Sequence, residues 1–128
     1  MNVSLLLLLA LIQVESGGRP NAIGDNGQAV GILQIHPIMV EDCNRISGKH
    51  YTLADRLDPV KSCEIASLYL KRYSTAEKAK NDIDLSKLWN GGPAGMKNNN
   101  TIEYSRRVIQ AEKEIARRFD KTPTFFIL

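Results

Sequence analysis

Apolar positions along the chain fall into five stretches separated by turn-forming residues, and their spacing is mostly helical. The first stretch, "LLLLLALI" (Leu5–Ile12), is apolar all round and leads through Gln13 and Val14 to Glu15. Ser4 stands where an N-cap belongs, and Ser16-Gly17-Gly18 supplies a stop, so a helix is expected from about Ser4 to Glu15. An all-round apolar helix must be covered on most sides. The next stretch, "GGRPNAIGDNGQAVG", carries five glycines between Gly17 and Gly31 and reads as a loop. At most a short β-hairpin is expected within it and just beyond, around Gly24–Ile35.

Pro37 opens a second helix with Met39, Cys43 and Ile46 on one face. Asp58-Pro59 opens a third, N-cap then first helical residue, with Cys63, Ala66, Leu70 and Tyr73 as its apolar face. A short helix is expected at about Asp84–Trp89, closed by "NGGPAG". The last opens near Thr101 and places Tyr104, Val108, Ala111, Ile115 and Phe119 together. The apolar tail "PTFFIL" is expected to pack back. The pattern predicts a mainly α chain, one domain over 1–128, with a buried central helix.

Composition narrows the class. With 128 residues, 43% of them hydrophobic, the chain can bury a single real core. The eight apolar residues of Leu5–Ile12 fall far short of the roughly 20 that a membrane span needs. Met1-Asn2-Val3-Ser4 has no basic side chain and Gln13-Val14-Glu15 is no cleavage site, so a core helix is expected there rather than a secretion signal. A net charge of +3 favours anionic partners such as wall polymers, weakly. The basic side chains of the last helix (Arg106, Arg107, Lys113, Arg117, Arg118, Lys121) interleave with Glu103, Glu112, Glu114 and Asp120. That mixture reads as a solvated face, and no nucleic-acid recognition motif accompanies it. Cys43 and Cys63 read as small buried hydrophobes, with a disulfide left open. The gaps among His36, Cys43, His50 and Cys63 match no compact zinc spacing, so no metal or cofactor is expected.

Glu15 is the residue with chemistry in it. A carboxylate at the C-terminal end of a buried helix meets the negative end of the helix dipole and apolar surroundings, and both disfavour its ionised form. A raised pKa is what a general acid working near neutral pH requires. A surface glutamate just past a core helix is the alternative reading of the same position.

Four elements in order give a resemblance: "VESGG", then "VGILQIHP" (Val30–Pro37), "LWNGG" (Leu88–Gly92), and Tyr104 within "EYSRRV". Together they resemble the soluble lytic transglycosylases and their relatives the goose-type lysozymes, of the lysozyme-like superfamily. The resemblance spans roughly Leu5 to Val108. It implies cleavage of the β-1,4 bond between N-acetylmuramic acid and N-acetylglucosamine in peptidoglycan. It implies Glu15 as the catalytic acid with Ser16 beside it, and Gln34 and Asn90 as substrate contacts. Tyr104 is implied to orient Glu15. Trp89 replaces a usual tyrosine and is expected to stack on a sugar. Leu33 stands where the family often has methionine.

The resemblance leaves the reaction's outcome open. Lytic transglycosylases use one glutamate as acid and then base and form 1,6-anhydro products; goose-type lysozymes add aspartates that position a water. Asp25, nine residues before Gln34, resembles the first of those aspartates, and it is equally a turn residue ahead of Asn26-Gly27. The second is His36 here, and a serine common in transglycosylases is matched by Gly24. The transglycosylase is the leading expectation, a lysozyme-type hydrolase the next, and a non-catalytic wall-binding module the third. A monomer acting on the cell wall, in the periplasm or outside the cell, is expected. The absence of a leader in this reading suggests delivery by a phage, as an endolysin, or excision from a larger protein.

Overall fold

The computed structural model describes residues 3–120. Five helices and one small hairpin make up the fold: α1 (Leu5–Ser16), β1 (Ile23–Gly24), β2 (Ala29–Val30), α2 (Pro37–Ser47), α3 (Pro59–Ala76), α4 (Asp82–Gly91) and α5 (Ile102–Asp120). The strands are antiparallel, Ile23 opposite Val30 and Gly24 opposite Ala29. Ile35 extends the hairpin by pairing back onto Val30. Helix against helix, the packing runs α1–α5–α4–α3–α2.

Helix ends follow the local chemistry of the sequence. Ser4 Oγ accepts the Leu7 N–H at the start of α1, and Gly17, in the left-handed region at φ 66°, closes it by donating to Ile12 and Gln13 carbonyls. Asp58 caps α3 by accepting the Val60 and Lys61 N–H groups ahead of Pro59. The core draws one or two large side chains from every layer: Leu7 and Leu11 of α1, Leu33 and Ile35 of the loop, Ile65 and Leu70 of α3, Leu85 and Leu88 of α4, and Val108 of α5. Each such leucine removed from water contributes about 2 kcal/mol of transfer free energy. That burial makes α1 a stiff mount for whatever its C-terminal end carries.

Four expectations are corrected in detail. On α3 the deepest face carries Ser62, Ile65 and Tyr69 beside Ala66 and Leu70, whereas Cys63 and Tyr73 are half-buried. The two buried serines of α3, Ser62 and Ser74, are tolerated because each hydroxyl donates to a backbone carbonyl, of Arg56 and Lys71 respectively. Helix α4 begins at Asp82 because Asn81 caps it by accepting the Asp84 N–H. On α5 burial is strongest at Ser105, Val108 and Ala111 and fades beyond, leaving Phe119 59% exposed. Glu112 is no part of a solvated face, since its Oε2 is buried. Cys43 is buried and Cys63 half-buried, both as free thiols. The tail "PTFFIL" lies outside the described residues. No helix among the described residues is long and apolar enough to cross a membrane.

Candidate active site

A cleft of about 790 Å³ runs between the end of α1, the hairpin loop, α2, α3 and the end of α4. Glu15, Asp25, Gln34, His36, Tyr69, Tyr73, Trp89 and Asn90 all line it. Among the described residues no three His, Cys, Asp or Glu side chains gather as a metal site.

Glu15 sits on the last turn of α1, where the rigid helix fixes its backbone. Tyr104 reaches across from α5 and donates its hydroxyl to Glu15 Oε2 at 2.5 Å, a short charge-assisted bond between residues 89 positions apart. The Glu15 pKa is raised above the usual carboxylate range, chiefly by burial. The Tyr104 hydroxyl and the Trp89 indole favour the carboxylate and pull it down, the negative charge of Asp25 pushes it up, and Arg107 pulls it down more weakly. Burial pushes the Tyr104 hydroxyl far up as well, so it stays a donor.

The hairpin loop supplies the second carboxylate. Asp25 and Asn26 both lie in the left-handed region, at φ 47° and 56°, which short polar side chains tolerate. The exposed Asp25 carboxylate meets His36 Nε2 at 2.9 Å. Glu15 and Asp25 therefore share one cleft and sense each other's charge.

Several side chains serve the frame of the cleft instead of its contents. Ser16 is 4% exposed, and its hydroxyl bonds the Ile32 carbonyl at 2.8 Å and the Gly18 N–H at 3.1 Å. It pins the end of α1 to the glycine-led loop and is not available to a sugar. Gln34, at φ 53°, donates Nε2 to the carbonyls of Ala22 and Gly31 at 3.0 Å each, so its amide N–H groups brace the loop. Gly24 lies flush against it: a Cβ there would stand 2.5 Å from Gln34 Oε1, so the serine of the transglycosylase pattern would require that amide to shift. Trp89 is 6% exposed with its ring edge-on to Tyr69, centroids 5.8 Å apart. Trp89 is held there by packing, and its indole favours the carboxylate of Glu15 beside it. Asn90, by contrast, is exposed on the cleft rim.

Three contributors are not evident from the sequence pattern. Arg56 is 8% exposed and its guanidinium donates to the carbonyls of Gln28, Ile35 and Leu53 at 2.9–3.0 Å. It ties both arms of the hairpin loop to the segment before α3; a lone arginine in a polar stretch gives no sequence signal for this. Tyr69 and Tyr73, one turn apart on α3 with centroids 4.8 Å apart, form the far wall, and their i, i+4 spacing is a signal that could have marked them. Tyr73 donates its hydroxyl to Asp42, which also pairs with Arg45.

Comparison with known proteins places the chain in a family and a fold. The family described as "Transglycosylase SLT domain" matches residues 1–111. Lysozyme 1 of Crassostrea virginica is 35% identical over 111 residues, covering 83% of this chain and 58% of its own length. The chain thus spans little more than half of that relative. The crystal structure of Tapes japonica lysozyme superposes with a TM-score of 0.71 at 27% identity, covering 82% of this chain and 87% of that one. Meretrix lusoria lysozyme, solved in complex with Aeromonas hydrophila PliI, gives 0.72 at 27% identity, covering 83% and 88%. A helix-borne glutamate met by a tyrosine from α5, on a lysozyme fold and within a family match over most of the chain, makes this protein a member of the transglycosylase SLT domain family of the lysozyme-like superfamily.

Proposed function

We propose that the chain, as one catalytic domain over 1–128, cleaves the β-1,4 bond between N-acetylmuramic acid and N-acetylglucosamine in peptidoglycan, by hydrolysis. Glu15, whose protonated form burial favours, gives its proton to the glycosidic oxygen as the bond to the sugar's anomeric carbon breaks. Asp25 orients the water that adds to that carbon. Glu15, now a carboxylate steadied by Tyr104, takes back the proton that the added water gives up and is ready for the next turnover. Asn90 at the rim and Tyr69 on the far wall face the sugar's hydroxyl and N-acetyl groups. No metal or cofactor enters this scheme. On this reading the enzyme works as a monomer at the bacterial wall, outside the cytoplasm.

The Glu15–Tyr104 bond inside the cleft carries the cleavage reading. Asp25 in the same cleft, paired with His36, supports hydrolysis over the lyase outcome led by sequence resemblance. So do the names of the similar proteins, which are lysozymes. The lyase reading keeps one argument, that a single glutamate suffices when the muramyl 6-hydroxyl attacks. Mass spectrometry of products from purified peptidoglycan separates the two. Reducing ends are the expected result; 1,6-anhydro ends, one water lighter, would replace hydrolysis by the lyase reaction and return Asp25 to a turn role. Glu15→Gln should lower kcat by about a thousand-fold, and clearance of walls at the parent rate by that variant would leave only a binding module.

A further inference from the structure

The two carboxylates of the cleft are mounted very differently. Glu15 stands on a buried helix, but Asp25 stands on the tip of a hairpin with its side chain 70% exposed. Among the described residues its carboxylate has one hydrogen-bond partner, His36, at 2.9 Å. An exposed aspartate on a loop otherwise turns freely about its side-chain bonds, which spoils the geometry a reaction needs.

His36 has the anchorage that Asp25 lacks. Its neighbour Ile35 is fully buried, exchanges backbone hydrogen bonds with Val30 in both directions, and accepts a third from the buried Arg56. On the other side Pro37 starts α2. His36 occupies the N-cap position of that helix without using its ring to cap it, so Nε2 is left for Asp25. The goose-type pattern would place a second aspartate here; this chain places a group that can donate.

We infer that His36 is a positioning residue for Asp25: it holds Oδ2 by Nε2–H and leaves Oδ1 to the water. The inference rests on the reading that Asp25 serves the hydrolysis. His36 lines the cleft, but its Nε2 is engaged with Asp25 and not free for a sugar, so removing the imidazole frees the carboxylate and the loss belongs in kcat and not in KM. A glutamine at 36 carries an amide N–H where Nε2–H stands and restores the hold.

Steady-state kinetics on soluble peptidoglycan fragments test this with His36→Ala, His36→Gln, Asp25→Asn and the two double variants, thermal unfolding verifying that each folds. His36→Ala should lower kcat about ten- to a hundred-fold with KM unchanged, and His36→Gln should recover most of it. In the Asp25→Asn background neither change at 36 should have a further effect. A parent-like kcat for His36→Ala, or a loss that multiplies with that of Asp25→Asn, overturns the positioning role while Asp25 keeps its own. A parent-like kcat for Asp25→Asn overturns the role of Asp25 itself, and the inference with it. Should His36→Ala fail to fold, His36→Leu, which fills the ring's space and offers no donor, carries the same comparison alone and with Asp25→Asn: a loss confined to kcat and absent in the Asp25→Asn background supports positioning, and a parent-like kcat or a rise in KM overturns it.

Discussion

Glu15 is held between opposing influences, and in the proposed reaction their balance sets the pH at which it works. Burial and the charge of Asp25 favour its protonated form, while the Tyr104 hydroxyl favours the carboxylate. A general acid must be protonated to act, so activity falls as pH rises through the Glu15 pKa. Tyr104→Phe removes an influence that lowers that pKa and leaves the burial in place. The alkaline limb of the kcat/KM profile should therefore move to higher pH, with a lower plateau because the freed carboxyl turns. A limb that stays put, or moves toward acid, would refute this account of the hydroxyl. Glu15, Asp25 and Tyr104 were legible as candidates because each sits in a recognisable local motif. The packing partners of Ser16 and Trp89 were not legible, because a residue type states what a side chain can bond, not which partner the fold brings to it. Ser16 meets Ile32 and Trp89 meets Tyr69 only through tertiary packing.

At the scale of elements, the hairpin loop is the part of the site that local propensity does least to hold. Its strands are two residues each, too short to persist alone. What holds it is a knot around Arg56. The guanidinium takes two carbonyls of the loop, and the Arg56 carbonyl accepts from Ser62 Oγ. Gly31 passes so close beneath that carbonyl that a Cβ there would lie 1.8 Å from it. Gly31 also has φ 88°, where an L side chain is strained. Gly31→Ala should cost on the order of 3 kcal/mol in stability, read by denaturant unfolding. It should also lower activity, since Asp25 and Gln34 hang on the displaced loop. A cost below about 1 kcal/mol would mean that the loop yields there with little strain. Helices were legible in the sequence wherever caps and periodicity agreed, as at Ser4, Pro37 and Asp58-Pro59. The loop's glycines announced a turn, but nothing near Gly31 announced a partner 25 residues away.

Across the whole molecule, the seam between α4 and α5 carries a feature that ties stability to pH. Asp82 opens α4, where the helix N-terminus favours a carboxylate. Glu112 faces it from α5 with Oε2 buried, so two carboxyl groups share one site. Burial, then the hydrogen bond to Asp82, then the charge of Asp82 push the Glu112 pKa up to about 8 from an ordinary 4.5. The folded chain therefore keeps a proton that the unfolded chain gives up. Stability contributed here is complete below the unfolded value and declines as pH rises from about 4.5 to about 8. Glu112→Gln preserves a neutral donor toward Asp82 and abolishes the titration. The thermal midpoints of parent and variant should run parallel below the window, diverge in favour of the variant across it, and run parallel again above it. Divergence in the other direction, or none, would show that the seam does not hold a proton. Glu15 also favours its protonated form, so rising pH weakens the fold and the acid together in the parent chain. Glu112→Gln should part them: stability is retained on the alkaline side while the alkaline limb of activity, which belongs to Glu15, stays where it was.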